Sequence, residues 1–311
     1  MLFINTNIPG IMDDIEPEKI HKVAALKGAS MPNYIDKVIK YEFPWCIVAY
    51  PNQRWADQIF PNEEDNYVEL YLKILEMCMI DHIDPVQAWE DYITSNNYYK
   101  KLLNDLQIKK LHYTNSLGTD LEISLPENSI WLNLDKTDTK GNPVIFNMPS
   151  YEIFTSPDYR YTNGVVYNSL PLVYNGALID DFYIEFKDGQ VSRAKAKIGN
   201  EVLNGFLARH KNIPYLGEVA LVNNDSPISN TKKLYYTTLY DENASCHLAF
   251  GRAFPNSIKN GKNMTNEELI QKGINIAPAH LDFMIGTPDL NIEAETNQGK
   301  KLIFKNSNFN L

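Results

Sequence analysis

The sequence predicts an α/β N-terminal part, residues 1–110, followed by a larger β-rich α+β domain, residues 111–311. Three observations lead there. Apolar strand-like runs alternate with helical stretches over the first hundred residues, as in an α/β layer. From Leu111 onward the apolar period shortens to two, the mark of half-buried strands. At Asp188-Gly189 two such runs meet in a two-residue hairpin signal. A chain of 311 residues is long enough for two cores.

The elements follow in order. Residues 2–4 read as a strand ended by the turn Asn5-Thr6-Asn7-Ile8-Pro9-Gly10. Residues 16–41 are helical through Ile20, Val23, Leu26, Ile35, Val38 and Ile39, interrupted at Gly28 and Pro32. Residues 45–50 form a continuous apolar run closed by Pro51, which suits a strand of a parallel sheet buried on both faces. Residues 68–80 are helical. Asp84 as N-cap and Pro85 in the first turn start a second helix, and residues 97–106 give a third. Strands are then expected at 111–114 and 120–125, around Asn115-Ser116-Leu117-Gly118, and at 130–134. More follow at 182–187, 191–196, 219–222, 248–250 and 281–285. Residues 200–210 read as a helix, and Thr265 with Glu268 forms a capping box opening a short helix to Lys272.

Composition narrows the function classes. Lys and Arg number 29 against 39 Asp and Glu, a net charge of -10, which argues against a nucleic-acid partner. Cys46, Cys78 and Cys246 have no Cys-x-x-Cys spacing and read as free thiols of a reducing, cytoplasmic compartment. No apolar run approaches the roughly 20 residues of a membrane span, and the N-terminus lacks the regions of a signal peptide. His21, His82 and His112 stand singly and read as surface or core histidines.

The chemistry gathers later in the chain. Cys246-His247-Leu248-Ala249-Phe250-Gly251 and Ala279-His280-Leu281-Asp282-Phe283-Met284-Ile285-Gly286 are apolar strands that carry metal-grade ligands. Residues i and i+2 of a strand share a face, so His280 and Asp282 present an imidazole and a carboxylate side by side. That pair fits a hydrogen-bonded core histidine, or two ligands of a divalent cation with His247 as a further donor. Cys246 and His247 are adjacent and point to opposite faces, which argues against a thiol–imidazole dyad. Glu152 and Glu218 sit at the mouths of apolar strands beside Pro and Gly turns, where a surface ion pair is the alternative reading. Taken together, three carboxylates and two imidazoles exceed what one tetrahedral zinc needs and suit two ions sharing a bridging carboxylate and a water.

The strings Asn147-Met148-Pro149-Ser150-Tyr151-Glu152-Ile153-Phe154-Thr155, Leu216-Gly217-Glu218-Val219-Ala220-Leu221, His247-Leu248-Ala249-Phe250-Gly251 and His280-Leu281-Asp282-Phe283-Met284-Ile285-Gly286 resemble the thermophilic-type metalloaminopeptidases, in order and at matching separations. Residues 14–19, 45–50 and 178–186 resemble the family too. The resemblance implies Glu152, Glu218, His247, His280 and Asp282 as ligands of a dinuclear site, with Glu218 as bridge. It also implies two divalent ions (cobalt, zinc or magnesium), a homodimer, and removal of N-terminal residues from peptides. Glu218 is the expected proton acceptor. Two departures accompany it. Phe254 stands seven residues after His247, where the family carries a site tyrosine, so a metal-binding but poorly active protein is the alternative expectation. Family members also have more chain before the point matching Met1, which implies a partial N-terminal domain with an exposed sheet edge. A dinuclear phosphoesterase uses similar ligands, but no Gly-rich phosphate cradle favours it.

Overall fold

The computed structural model describes residues 1–8 and 42–311 throughout, and between them residues 11, 14–16, 19, 22, 23, 26, 30, 31, 34, 37 and 38. The expected helix at 16–41, with His21, therefore lies largely outside the described residues.

The chain opens with strands β1 (Leu2–Asn5) and β2 (Cys46–Ala49), followed by helices α1 (Gln53–Ile59), α2 (Asn66–Met77) and α3 (Pro85–Asp105). Asp84 caps α3 as expected, its carboxylate accepting from the Gln87 N–H at 3.0 Å. The helices expected from Pro85 and at 97–106 are one helix of 21 residues. The intervening residues Thr94 to Asn96 are tolerated in a helix already anchored by buried Trp89 and Leu103. Strands β3 (Lys110–Thr114), β4 (Asp120–Ser124), β5 (Leu132–Asn133), β6 (Asn147–Met148), β7 (Ile153–Thr155), β8 (Thr162–Tyr167), β9 (Leu172–Tyr174), β10 (Ala177–Lys187) and β11 (Gln190–Ile198) come next. Helix α4 (Asn200–Leu207) follows, then β12 (Leu216–Leu221), β13 (His247–Gly251), α5 (Asn266–Gln271), β14 (His280–Met284), β15 (Asn291–Thr296), β16 (Gly299–Lys305) and β17 (Asn308–Phe309). Helix α4 stops short of the expected His210 at Leu207, the last buried apolar residue of its inner face.

The fold is mixed α/β, with a small parallel sheet and large antiparallel ones. β1, β2 and β6 pair in parallel, and β2 is half-buried along its length rather than covered on both faces. Nine strands form an antiparallel sheet ordered β9-β10-β8-β4-β3-β15-β16-β17, with β11 paired to β10 across the Asp188-Gly189 turn. Five strands form a second sheet, β14-β13-β12-β7-β5, also antiparallel. The two larger sheets share one core, in which Phe250 stacks on Phe283 with centroids 4.5 Å apart and Phe182 and Phe206 close around them. A second core packs Trp55, Trp89, Tyr151 and Tyr240 between the N-terminal helices and the loops after β6 and β12.

Both ends of this scaffold converge. The three parallel strands run the same way, and the carboxyl end of β6 leads directly through Pro149-Ser150-Tyr151 to Glu152. The second sheet supplies the other candidate residues.

Candidate metal centre

Strand register explains how residues far apart in sequence come to face one another. β12 and β13 pair Glu218 with Ala249, and β13 and β14 pair Ala249 with Asp282. Glu218 and Asp282 therefore flank one small residue across three strands. One step along, His247 pairs with Ala220 on one side and Met284 on the other, and Gly251 pairs with His280. Since alternate residues share a face, His247, Ala249 and Gly251 line the centre while Leu248 and Phe250 enter the core. Ala249 and Gly251 leave room in which the longer ligands can meet.

A bulge at Gly217 sets the aim of Glu218. A Cβ on Gly217 would lie 2.4 Å from the Arg252 carbonyl oxygen. That carbonyl is committed, because it accepts from His280 Nδ1 at 2.7 Å. His247 Nδ1 is likewise held by the Ser245 carbonyl at 3.1 Å. Each imidazole is thus oriented with Nε2 toward the cluster, the arrangement by which proteins fix a metal-binding tautomer.

The carboxylates complete it. His247 Nε2 lies 3.2 Å from Glu152 Oε2. His280 Nε2 lies 3.0 Å from Glu218 Oε2 and 3.1 Å from Asp282 Oδ1. Glu152, Glu218 and His247 each offer a ligand atom within 4.8 Å of the others, and so do Glu218, His280 and Asp282. All five residues expected from the sequence come together, and Glu218 belongs to both groups.

Charge is concentrated in a dry place. Glu218 is 3% and His247 1% exposed. Burial, with Glu152 and Asp282 nearby, pushes the Glu218 carboxyl up to about 7 against the pull of His280. Burial presses the His247 imidazole down, but the Glu152 hydrogen bond and the surrounding carboxylates outweigh it and lift it to about 10. Asp282 feels the same burial and is nevertheless held down at about 2 by His280 and His247. Protons on the imidazoles neutralise the carboxylates here, and divalent cations do so equally well.

A further carboxylate escaped the sequence reading. Glu242 sits in a single 3-10 turn five residues before His247. Burial, then the charges of Asp282, Glu152 and Glu218, raise its carboxyl well above the usual range. It lies outside an apolar strand, so the strand-mouth criterion passed over it. The only available signal was its place just upstream of the His247 string. The three carboxylates of Glu152, Glu218 and Asp282 and two carbonyl-oriented imidazoles form a donor set of the hard O and borderline N type that suits divalent ions.

The remaining expectations are also placed. The Cys246 thiol is buried on the opposite side and contacts the Val222 carbonyl at 3.4 Å, so it forms no dyad with His247. His112 pairs with Asp120 at the surface, and His82 is exposed. Among the described residues, no helix is long and apolar enough to cross a membrane.

Residues 1–309 match the thermophilic metalloprotease family (M29). The chain belongs to that family. Among curated relatives of this thermophilic metalloprotease, aminopeptidase AmpS of Bacillus subtilis (strain 168) is 36% identical over 97% of the chain and 74% of its own length. Aminopeptidase PepS of Streptococcus thermophilus is 34% identical over 99% of the chain and 75% of its own length. The structure of AmpT from Thermus thermophilus superposes with a TM-score of 0.91 at 27% identity, covering 100% of this chain and 76% of that one. The chain is accordingly a metalloaminopeptidase, and its buried His, Glu and Asp groups suit a metal centre.

Proposed function

We propose that the protein removes N-terminal residues from peptides at a dinuclear centre held by Glu152, Glu218, His247, His280 and Asp282. The observation that carries this reading is the membership of Glu218 in both ligand groups, which suits a carboxylate bridging two ions. Bound divalent ions supply Lewis acidity, lowering the pKa of an attacking water and polarising a carbonyl. Cobalt, zinc and magnesium all accept this donor set.

The chain's own groups do the rest. Glu218 takes the water proton at a carboxylate oxygen and returns it to the departing amine. The two backbone carbonyls at Ser245 and Arg252 keep both imidazoles from turning away.

The test is hydrolysis of a leucyl chromogenic anilide with cobalt or zinc added, against its N-acetylated counterpart and against chelated protein. Turnover is expected only with metal and a free amino group. No turnover by either this chain or its Phe254→Tyr variant would count heavily against the reading. Phe254 favours a second reading, a metal-binding protein of low activity. Stoichiometric metal with negligible turnover, restored in Phe254→Tyr, would select it.

The assembly and compartment belong to this proposal. Ile80, Ile83 and Val86 expose apolar side chains in and just after the turn between α2 and α3, surface that favours a homodimer. Three unpaired cysteines support a reducing cytoplasm.

A further inference from the structure

Beside the metal centre lies a cavity of about 200 Å³ that shares Asp282 with it. Its wall continues the ligand-bearing face of β14, because Met284 follows His280 and Asp282 in the same alternation. Val173, on the edge strand β9, and Pro171 close one side, and Thr237 and Thr238 close the other.

The threonine side is braced. The Asp241 carboxylate accepts the Tyr235 N–H at 2.7 Å and the Thr237 N–H at 2.9 Å. The indole N–H of fully buried Trp55 donates to the Tyr235 carbonyl at 2.7 Å. Between these anchors Tyr236, a cavity-lining residue, has φ +55°. A bulky residue in that conformation is costly and persists only where its surroundings hold it. These contacts tie the Tyr235–Thr237 segment to the second core and so fix this wall of the cavity.

An exopeptidase that cleaves after the first residue must place that residue's side chain one bond from the scissile carbonyl, so its receptacle has to adjoin the centre. A volume of about 150 Å³ is enough for a benzene ring, so this cavity has room for a leucyl, methionyl or phenyl group, which Pro171, Leu172, Val173 and Met284 would meet with apolar surface while the threonines and aspartates line the rest. Asp241 and Asp282 in its walls oppose a carboxylate. We propose that this cavity receives the side chain of the substrate's N-terminal residue, favours uncharged groups up to phenyl size, and uses Val173 as its size gauge. The proposal rests on the aminopeptidase reading of the adjoining centre.

The test measures kcat/KM of the full-length, zinc- or cobalt-loaded protein for alanyl, leucyl, phenylalanyl and glutamyl p-nitroanilides. Val173 lies on an edge strand, where phenylalanine is well tolerated. In Val173→Phe the leucyl-to-alanyl ratio is expected to fall at least tenfold, the scale of a lost methylene-sized fit (about 10–200-fold). In Val173→Ala the phenylalanyl-to-leucyl ratio should rise. Glutamyl substrate should trail leucyl by more than tenfold in the wild type. Unchanged ratios in both variants overturn the assignment. Calorimetric binding of free leucine and alanine to the zinc-loaded protein reads the same selectivity without turnover. Leucine preference lost in Val173→Phe sustains the cavity assignment even if no anilide is cleaved, an outcome that sinks only the hydrolase reading. Equal binding of the two amino acids overturns it.

Discussion

The ring of Phe254 stands edge-on to the His280 imidazole, with centroids 5.2 Å apart and planes at 61°. It is steadied at 5.1 Å by Phe154 and by its own N–H, which donates to Ser156 Oγ at 2.9 Å. A ring so placed can bring a para hydroxyl toward the ligands, where a phenylalanine offers only carbon. The Phe254→Tyr variant should raise kcat on a leucyl anilide by on the order of 10²–10³, the worth of one oxyanion donor, with little change in KM. Steady-state kinetics decide it. An unchanged kcat would mean that the hydroxyl has no part in turnover here.

Glu218→Gln removes the charge common to both ligand groups. Metal content per chain should drop to one ion or fewer by elemental analysis. Turnover should fall by on the order of 10²–10⁴, the range of a lost proton acceptor. Full metal content with normal turnover would deny Glu218 either role.

Proton uptake gives a pH prediction with a definite sign. His247 is raised from 6.5 to about 10, so its contribution to metal-free stability is complete below pH 6.5 and disappears as pH rises through 10. Glu218, raised from 4.5 to about 7, also makes the fold less stable as pH climbs from 4.5 to 7. Asp282, lowered from 3.8 to about 2, stabilises above 3.8 and loses that effect toward 2. Thermal unfolding of chelated protein should therefore show its highest Tm near pH 4 and a decline from there toward pH 10. Excess zinc should reverse the alkaline decline, because the same groups must shed protons to bind it. A flat alkaline limb without metal would contradict the assignment.

Gly217→Ala drives a methyl group toward the Arg252 carbonyl that orients His280. The expected result is a stability loss of about 1–3 kcal/mol together with weaker zinc binding. Denaturant unfolding and metal titration are read on the same sample. Retained zinc affinity would show that the imidazole does not depend on this carbonyl.

Phe250→Ala tests the support beneath the centre. Phe250 is fully buried and stacks on Phe283 at 4.5 Å, so truncation should cost about 3–5 kcal/mol in urea unfolding. A loss under 1 kcal/mol would mean that the ligand-bearing strands stand without this stack.

Much of this arrangement was legible because strand periodicity is a local property. Alternation placed His280 beside Asp282 and turned Leu281 and Phe283 away, and the Asp188-Gly189 hairpin and the capping box at Thr265 formed as written. What escaped depended on distant partners. No local signal says that Asn147–Met148 returns to pair with Cys46–Ala49, or that 97–106 continues the helix begun at Pro85. β15 and β16 went unassigned, although buried Ile292, Ala294, Ile303 and Phe304 mark their inner faces. Glu242 was hidden for a related reason. Its chemistry comes from the crowd of carboxylates that tertiary folding gathers, while its own segment is an unremarkable turn.

The register that aligns Glu218, Ala249 and Asp282 has a consequence for how the molecule comes apart. The proposed ligands are borrowed from neighbouring strands of one sheet and from the segment entering it, so a cation gripped by them acts as a clasp across the hydrogen-bonded ladder. Peeling away any one strand would have to break coordination as well as backbone pairing. Chelation should therefore loosen the whole sheet and speed its unzipping, and the loaded enzyme should outlast the stripped one under heat or protease by far more than its equilibrium stability alone would suggest.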